Sequence, residues 1–338
     1  MGLATHQYLE RHTGKVCTER LFGDRLVRLL YSEVRENAPF LFRAVTSARG
    51  SRLLSLLNFE TLLGARLRNP RDLIRSWGVD LSECLEDIDE LDTPQKLFTR
   101  RIRYEQCRPM PADPRAVVSP ADSRLLLGSF NHESLLFIKN KFFDFTELIG
   151  GGKTRWLRAF AQGPYALFRL TPEKYHYLHA PVTGRVVDIY EINGQYHSCN
   201  PTAALSPVQP FSKNKRVVTV VDTDVPGGSR AGLVAMAEVV ALMVGEIEQC
   251  YSSAGYEDPQ PVLPGLLVQK GQPKSVFKPG SSTVVLLFQP GRVTFDQDLV
   301  DNQRHSRAAS RFSLGLGRPL VETELKVREQ IGWANPQV

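Results

Sequence analysis

The stretch Phe277-Lys278-Pro279-Gly280-Ser281-Ser282-Thr283-Val284-Val285-Leu286-Leu287-Phe288 decides how this chain is interpreted. Its Pro-Gly pair combines one backbone position with a fixed φ and one with a permissive φ, which predicts a tight turn. The following run from Thr283 to Phe288 is β-branched or apolar, which predicts a buried strand. The two serines therefore lie where a constrained turn meets an interior strand.

The composition is that of an ordinary globular protein. Of the 338 residues, 42% are hydrophobic and 23% are charged. This is enough for one large domain with an accessory region, or for two small domains. The formal net charge is +6 and the pI is about 9.1. A protein surface with this positive charge could bind an anionic membrane or nucleic acid, but it is equally compatible with an ordinary solvated surface.

The number of cysteines and the length of the apolar runs indicate in which cellular compartment the protein is expected. Five cysteines without a Cys-x-x-Cys pair argue against a disulfide scaffold and favour a reducing compartment. The polar segment Met1 to Lys15 does not have the pattern of a signal peptide. No run of about 18 apolar residues is present, so any membrane contact is expected to be peripheral.

Residues 1–108 are predicted to be helical. Leu21 to Tyr31 and Ser51 to Arg68 both place apolar side chains at helical spacing with arginines on the other face. Such basic amphipathic helices either lie in a lipid interface or pack on a protein core, and the pattern alone leaves both open. The Pro-rich segment Arg108 to Pro114 marks the end of this region.

Beyond that boundary the pattern changes to short apolar strands separated by Gly, Pro, Asn or Asp. The predicted strands are Val182 to Ile189, Arg216 to Val221, Leu233 to Val244, Val262 to Val268 and Val284 to Phe288. We therefore predict an α+β fold, with an N-terminal helical region (1–108) followed by a β-rich domain (109–338).

Two histidines and one aspartate are the candidates for acid–base chemistry. His176 and His179 are three residues apart in Tyr175-His176-Tyr177-Leu178-His179, and histidine titrates near neutral pH. The alternatives are structural histidines or metal ligands, but no third ligand cluster accompanies them, so no metal is expected. Asp122, in a Pro-bounded turn, could orient a histidine or simply form an Asx-turn.

One glycine-rich segment resembles a nucleotide-binding motif only in part. Gly150-Gly151-Gly152-Lys153-Thr154 is similar to the end of a phosphate-binding loop, but the position that needs an earlier glycine holds Glu147. No clear helix pattern follows this segment either. Nucleotide binding is therefore not expected.

Taken together, the chain resembles the phosphatidylserine decarboxylase family over most of its length. The cleavage segment is similar to the family's Phe-Lys-Phe-Gly-Gly-Ser-Thr-Val-Val, and Tyr175 to His179 is similar to Tyr-His-Arg-Phe-His. Further ordered matches are Leu97-Phe98-Thr99-Arg100-Arg101, Arg108-Pro109, Ser119-Pro120-Ala121-Asp122, Phe137-Ile138-Lys139, Phe145-Thr146-Glu147-Leu148, Asn200-Pro201, Asn214-Lys215-Arg216, Glu238-Val239, Val244-Gly245-Glu246-Ile247 and Lys270-Gly271.

The resemblance implies a self-cleaving proenzyme. The chain would cut itself between Ser281 and Ser282 into a β subunit (1–281) and an α subunit (282–338), and Ser282 would become a covalent pyruvoyl cofactor. Asp122, His179 and Ser282 would form the self-cleavage triad with His179 as the base. His176 would assist decarboxylation as the proton donor.

The match departs from the family at the reactive serine. The family usually has Gly before this serine, whereas Ser281 stands here. Cleavage between Gly280 and Ser281 is the alternative, but it needs a one-residue shift against Thr283. Ser123 after Asp122 and Glu246 after Val244-Gly245 also differ, which puts the substrate pocket in doubt.

The implied function is decarboxylation of phosphatidylserine to phosphatidylethanolamine. The implied partners are phosphatidylserine, an anionic membrane surface bound peripherally on the cytoplasmic side, and the chain's own α and β subunits. A homo-oligomer is left open, and no nucleic acid is expected. The alternatives are a soluble pyruvoyl-dependent decarboxylase of a free amino acid, and an uncleaved lipid-binding relative.

Overall fold

The structure is a computed structural model of the chain. This structure describes residues 5–21, 24–55, 70–134, 137–138, 142–205, 210–242, 246–279 and 282–335. Gly280, Ser281, the segment 56–69 and Val244-Gly245 lie outside the described residues.

The strands account for most of the regular structure after residue 115. In chain order they are β1 (Gln7–Glu10), β2 (Val16–Thr18), β3 (Ala116–Val118), β4 (Ser123–Ser129), β5 (Pro164–Leu170), β6 (Tyr177–His179), β7 (Gly184–Ile192), β8 (Arg216–Asp222), β9 (Leu233–Val240), β10 (Ile247–Gln249), β11 (Leu267–Val268), β12 (Pro273–Phe277), β13 (Ser282–Phe288), β14 (Val293–Phe295), β15 (Glu322–Leu325) and β16 (Gln330–Ala334).

One large sheet organises the molecule. Its ten strands lie in the order β11-β7-β8-β9-β13-β5-β4-β15-β1-β2. The pairs are antiparallel apart from β1 with β15, which run parallel. Two three-stranded sheets, β10-β12-β6 and β14-β16-β3, complete the β structure. Together with the helices that surround these sheets, this makes the fold α+β.

Strand β13 is the centre of the large sheet, because β9 pairs with one of its edges and β5 with the other. All seven of its residues are buried. Val284 and Leu286 face one apolar core, which also holds Phe277 of β12. Val285 and Leu287 face a second core on the other side of the sheet. This double burial explains why the strand is apolar without alternation.

Short helices surround the sheets. The α-helical segments are Asp24–Leu29, Arg35–Asn37, Pro39–Thr46, Ala48–Ser55, Pro70–Trp77, Pro94–Phe98, Tyr104–Cys107, Phe145–Ile149, Thr154–Phe160, Pro201–Ala204, Pro210–Lys213, Gln297–Gln303 and Arg311–Leu316, with a π-helical turn at Leu30–Val34. Local signals set some boundaries: Thr93 accepts a hydrogen bond from the Lys96 amide at 3.2 Å and precedes Pro94. None of the described helices has the length and apolarity needed to span a bilayer.

Three sequence predictions need correction. The helical region predicted for residues 1–108 does not hold for residues 7–18, which form β1 and β2 because β1 pairs with the distant strand β15. A helix, Thr154–Phe160, follows the glycine-rich segment after which no helix was expected. The predicted strand Val262 to Val268 shrinks to Leu267–Val268, because Pro264 and Gly265 form a turn and Gly265 has φ +95°. The helix predicted for Ser51 to Arg68 is observed as far as Ser55 and then leaves the described residues.

A buried ion network joins the N-terminal strands to the C-terminal part of the chain. The Arg169 guanidinium contacts all four carboxylate oxygens of Glu19 and Glu322 at 2.6–2.9 Å. His6 Nε2 lies 2.8 Å from Glu322. His6, Glu19 and Glu322 have the spacing of metal ligands, but Arg169 already supplies the positive charge that these carboxylates need.

Replacing Glu322 with Gln is expected to lower the free energy of unfolding by about 3 kcal/mol, because it breaks a fully buried ion pair. Burial alone would raise the pKa of Glu322, but the charge of Arg169 outweighs it and lowers the pKa well below its usual range. The carboxylate is therefore charged at neutral pH, and its contribution is lost only in strong acid. Chemical denaturation followed by circular dichroism measures the change.

Glu324→Gln on the same strand is the matched control. Glu324 pairs with Lys174 near the surface, so we expect a loss of about 1 kcal/mol or less. Equal losses in the two variants would contradict a special role of the buried network.

Candidate active site

Ser282 opens the central strand of the large sheet. Its register partners are Leu170 at the end of β5 and Val240 at the end of β9. Side chains alternate along a strand, so Ser282 points to the same face as Val284. The second sheet, β10-β12-β6, packs against this face, as the shared core with Leu178 shows.

The Ser282 hydroxyl is fully buried and unpaired. The residue has no exposed surface, and its Oγ has no hydrogen-bond partner among the described residues. A buried hydroxyl without a partner is costly and needs an explanation. The neighbouring Ser281 and Gly280, which the sequence placed at the cleavage site, lie outside the described part of the chain.

His176 lies on the connection between β5 and β6. This connection starts next to Ser282 at Leu170, and at its other end the His176 carbonyl accepts a hydrogen bond from the Phe277 amide at 3.2 Å. Phe277 in turn ends β12, the strand that precedes Ser282 in the chain. The two ends of the connection 170–176 therefore pair with the two described residues that flank the cleavage segment, Leu170 with Ser282 and His176 with Phe277.

The His176 ring is also fully buried. It stacks on Phe98 with ring centroids 3.5 Å apart. The Lys174 backbone lies close enough to interact with the ring, but neither nitrogen forms a hydrogen bond of normal geometry with a described residue. Burial lowers the pKa of His176 well below its usual range, and the positive charge of Arg100 lowers it further. The ring is therefore neutral near pH 7.

Arg100 is a buried cation held by backbone oxygens. Its guanidinium donates to the carbonyls of Leu97 at 2.9 Å, Glu173 at 3.0 Å and Lys174 at 3.3 Å. These contacts tie the helix Pro94–Phe98 to the connection that carries His176. They also leave the charge of Arg100 close enough to act on the histidine.

His179 ends β6 and uses both of its ring nitrogens. Nδ1 lies 2.8 Å from the Gly271 carbonyl, and Nε2 lies 2.9 Å from the Tyr175 hydroxyl. A carbonyl only accepts, so the proton is assigned to Nδ1, and Nε2 accepts from Tyr175. Burial lowers the pKa of His179 to about 3, although the hydrogen bond to Gly271 opposes the shift. The ring is thus a neutral base.

A chain of hydroxyl groups connects His179 with the surface. The Tyr175 hydroxyl lies 2.7 Å from that of Tyr256, which also bonds to the backbone of Ile102 at 3.1 Å. Tyr256 lines a cavity of about 510 Å³. The buried base is therefore connected to solvent through two tyrosines.

Asp122 is held by Arg108 rather than by a histidine. Its carboxylate accepts from Arg108 Nε at 3.0 Å and Nη2 at 2.8 Å, and from the Val327 amide at 2.8 Å. Burial alone would raise the pKa of Asp122, but the charge of Arg108 outweighs it and lowers the pKa. Burial lowers the pKa of both His176 and His179, and the negative charge of Asp122 acts through space to oppose part of this lowering.

The backbone brings the aspartate segment to the histidines. The Pro120 carbonyl accepts a hydrogen bond from the His179 amide at 2.8 Å. Asp122 is therefore close enough to interact electrostatically with both histidines, and neighbours of all four candidate residues share one apolar core. In the described residues, however, no hydrogen bond joins any two of these four side chains.

A second buried charge pair lies on the Ser282 face. Glu238 stands opposite Val284 on β9, two residues from Val240. Its carboxylate contacts Lys274 Nζ and Gln249 Nε2, each at 2.9 Å, and the Ser275 hydroxyl. These contacts fasten β12, the strand before the cleavage segment, to the large sheet.

Sequence reasoning gave no role to several of these residues. The motifs contain Arg108, Arg100 and Tyr175 but predict no contact for them. They do not include Glu83, whose carboxylate accepts hydrogen bonds from Arg108 at 2.8 Å. The signal that could have found Arg108 is its position in Arg-Pro at the end of the helical region. Only the folded structure shows which carboxylates bind the Arg108 guanidinium.

Comparisons with known proteins find similar sequences over most of the chain. The family model described as phosphatidylserine decarboxylase matches residues 95–313. A phosphatidylserine decarboxylase proenzyme of Chlamydia trachomatis is 33% identical over 300 residues, which covers 87% of this chain and 90% of the relative. One from Fusobacterium nucleatum is 26% identical over 312 residues, covering 90% of this chain and 94% of the relative.

A eukaryotic relative is similar over an even larger share of the chain. Phosphatidylserine decarboxylase proenzyme 3 of Schizosaccharomyces pombe is 28% identical over 341 aligned positions, which cover 97% of this chain and 31% of the relative.

Proposed function

The chain belongs to the phosphatidylserine decarboxylase family, and we propose that it first cuts its own backbone between Ser281 and Ser282. The mature enzyme is a carboxy-lyase that converts phosphatidylserine to phosphatidylethanolamine. The observation that carries the cleavage proposal is the buried Ser282 hydroxyl, which lacks a partner among the described residues and begins the central strand. Such a hydroxyl is available to attack the carbonyl before it.

Cleavage needs two steps at Ser282. In the first, Oγ attacks the carbonyl carbon of Ser281, the peptide C–N bond breaks, and the nitrogen takes the proton, which leaves an ester. In the second, a base removes the Ser282 Cα proton and the Cβ–Oγ bond breaks, which releases the Ser281 carboxylate. Water then displaces ammonia from residue 282 and leaves a ketone at the new N-terminus.

His179 and Asp122 fit the role of base and electrostatic partner. His179 is neutral and has a basic Nε2, the form that a general base needs. Asp122 is ionised and acts on the histidine through its charge, which stabilises the imidazolium once a proton is taken. For His179 to reach Ser282, the Tyr175 hydroxyl must release Nε2.

The residues present fit a pyruvoyl group formed from Ser282. The fully buried position at the head of β13 is shielded from water, and β5 and β9 hold the new N-terminus on both sides. When formed, the pyruvoyl group supplies the electron sink for a substrate amine, as pyridoxal phosphate does elsewhere.

His176 fits the proton donor of the decarboxylation step. Its ring is fully buried, and neither nitrogen forms a hydrogen bond of normal geometry with a described residue. A negatively charged headgroup that enters beside Arg100 would offset the positive charge of that residue and raise the pKa of His176. The ring would then be able to return a proton to the carbon that loses its carboxyl group.

The two subunits would remain one folded unit. The α subunit would contribute β13 to β16, and β13 is paired on both edges with strands of the β subunit. The buried contact between Glu322 and Arg169 also joins the two subunits. Cleavage would therefore leave the sheet intact.

A surface on the N-terminal helices fits a peripheral membrane contact. It exposes the large apolar side chains Leu26, Leu29, Phe40, Leu41 and Leu53. Phe40 is 86% exposed, which is unusual for so large an apolar residue. Arg25, Arg28, Arg43 and Arg49 are exposed in the same helices. Apolar side chains flanked by arginines suit the surface of an anionic bilayer.

Replacing Phe40 with Asp is expected to weaken binding to phosphatidylserine-containing vesicles by about tenfold, because an apolar contact is lost and a repelled charge is added. Vesicle co-sedimentation measures the binding. Leu263→Asp is the matched control, because Leu263 is 57% exposed in the loop before β11, outside the N-terminal helices. If both variants bind equally well, the N-terminal surface is not the docking site.

The substrate class is tested with vesicles and free serine in parallel. The mature protein is expected to release carbon dioxide from carboxyl-labelled phosphatidylserine and not from labelled serine. Release from serine without vesicle binding would favour the soluble amino-acid decarboxylase. An intact chain that binds vesicles without releasing carbon dioxide would instead identify an uncleaved lipid-binding relative.

A further inference from the structure

Arg108 uses every one of its hydrogen-bond donors. Nε and Nη2 donate to the two oxygens of Asp122, at 3.0 and 2.8 Å. Nη1 and Nη2 donate to the two oxygens of Glu83, both at 2.8 Å. The remaining Nη1 proton goes to the Cys107 carbonyl at 3.0 Å. An arginine has five N–H donors, so the guanidinium is saturated between two carboxylates.

This arrangement fixes the guanidinium plane and, through it, the carboxylate. Arg108 is 4% exposed and Asp122 is 7% exposed. Glu83 binds the edge of the guanidinium formed by Nη1 and Nη2, whereas Asp122 binds the edge formed by Nε and Nη2. Asp122 is also held by the Val327 amide, so three donors determine its orientation.

We propose that Arg108 is a positioning residue that orients the Asp122 carboxylate for self-cleavage, with Glu83 as its second support. The inference rests on the proposed role of Asp122. It adds two residues to which neither the motifs nor the comparisons assign a function. Glu83 precedes Cys84 in the helical region, so the proposal also links that region with the site.

The charge of Arg108 has a second effect on Asp122. It is the main influence that lowers the pKa of this buried carboxyl. The other titratable or charged groups that interact with Asp122 are Lys174, Arg100, His176, His179, Cys107 and Tyr175. None of these forms a hydrogen bond to it in the described structure, so removal of Arg108 leaves the carboxyl without its only contacting cation.

Lysine cannot replace this arginine. An ammonium group carries the same charge, but it lacks the planar fork that binds two carboxylates side by side. Arg108→Lys therefore separates orientation from charge. Arg108→Gln removes both, and Glu83→Gln leaves the Arg108–Asp122 contact but weakens its support.

The test measures self-cleavage of freshly synthesised chains on denaturing gels at several pH values. Arg108→Gln is expected to slow cleavage about 10- to 100-fold, and its rate should fall at a higher pH than in the parent chain, because the Asp122 carboxyl protonates more easily. Arg108→Lys should slow cleavage about tenfold with a nearly unchanged pH profile. Glu83→Gln should slow it less than Arg108→Lys does.

Arg101→Gln is the matched control. Arg101 forms a similar ion pair with Glu86, at 2.8 Å, but does not contact Asp122. It should cleave at the parent rate. Parent rates and pH profiles in both Arg108 variants would overturn the proposal, as would slow cleavage with an unshifted profile in Arg108→Gln, which indicates a purely structural role.

Asp122→Asn separates this inference from the proposed function. If Asp122→Asn cleaves normally, the role of Asp122 itself is wrong. If it is blocked while both Arg108 variants cleave normally, only the positioning role fails. If Arg108→Gln does not fold, Arg108→Lys and Glu83→Gln still decide between orientation and structure.

Discussion

Replacing Ser282 with Ala is expected to abolish both self-cleavage and decarboxylation. Alanine has no hydroxyl to attack the preceding carbonyl, and no ketone can form at residue 282. The fold should persist, because the Ser282 hydroxyl has no hydrogen-bond partner among the described residues and its removal changes the free energy of unfolding by only about 1 kcal/mol. Denaturing gels should show an undivided chain of 37.9 kDa.

Ser281→Ala is the control for the register. It should still cleave, because residue 281 supplies a carbonyl and not the nucleophile. If Ser282→Ala cleaves and Ser281→Ala does not, cleavage occurs between Gly280 and Ser281, and the assignment is wrong by one residue.

Replacing His176 with Ala is expected to leave self-cleavage largely intact and to lower the rate of decarboxylation by about 100-fold or more, the typical contribution of a positioned proton donor. The ring is fully buried and stacked on Phe98, so turnover is compared only in chains that fold and cleave. Carbon dioxide release from carboxyl-labelled phosphatidylserine measures turnover, and gel bands measure cleavage in the same samples.

His179→Ala is the companion variant with the opposite pattern. It should block cleavage, because no other neutral imidazole occupies the position beside Gly271 and Tyr175 in the described structure. Full turnover in His176→Ala would remove that residue as the proton donor. Blocked cleavage in both variants would mean that the two histidines do not have separate roles.

The sequence alone predicted the central strand but not its place in the sheet. Thr283 to Phe288 is apolar enough to require burial on both faces, and β13 has this property. Its partners β5 and β9 lie far away in the chain. Pairing between such distant segments depends on the whole topology, for which local patterns carry no signal.

The N-terminal strands show the same limit. Residues 7–18 are too short and too polar to have a distinct period, and β1 acquires its strand conformation by pairing with β15. The helices after residue 24 were easier to predict, because helical spacing is a local property. The pairing with a distant strand therefore decides the conformation of residues 7–10, although the surrounding sequence favours helices.

The candidate site was predictable as a set of residue types. Histidine, aspartate and serine could be singled out because their chemistry is specific, and their joint role stays a prediction. Their hydrogen bonds could not be predicted. The saturation of Arg108 by two carboxylates and the contact of His179 with Tyr175 depend on side chains that distant segments bring together.

The central claim is that this chain makes its cofactor from Ser282, and the intact mass under denaturing conditions tests it most directly. We expect two fragments, residues 1–281 and 282–338, with a ketone in place of the amino group at the N-terminus of the smaller one. A preparation that decarboxylates phosphatidylserine while it consists of one undivided species of 37.9 kDa would contradict the account.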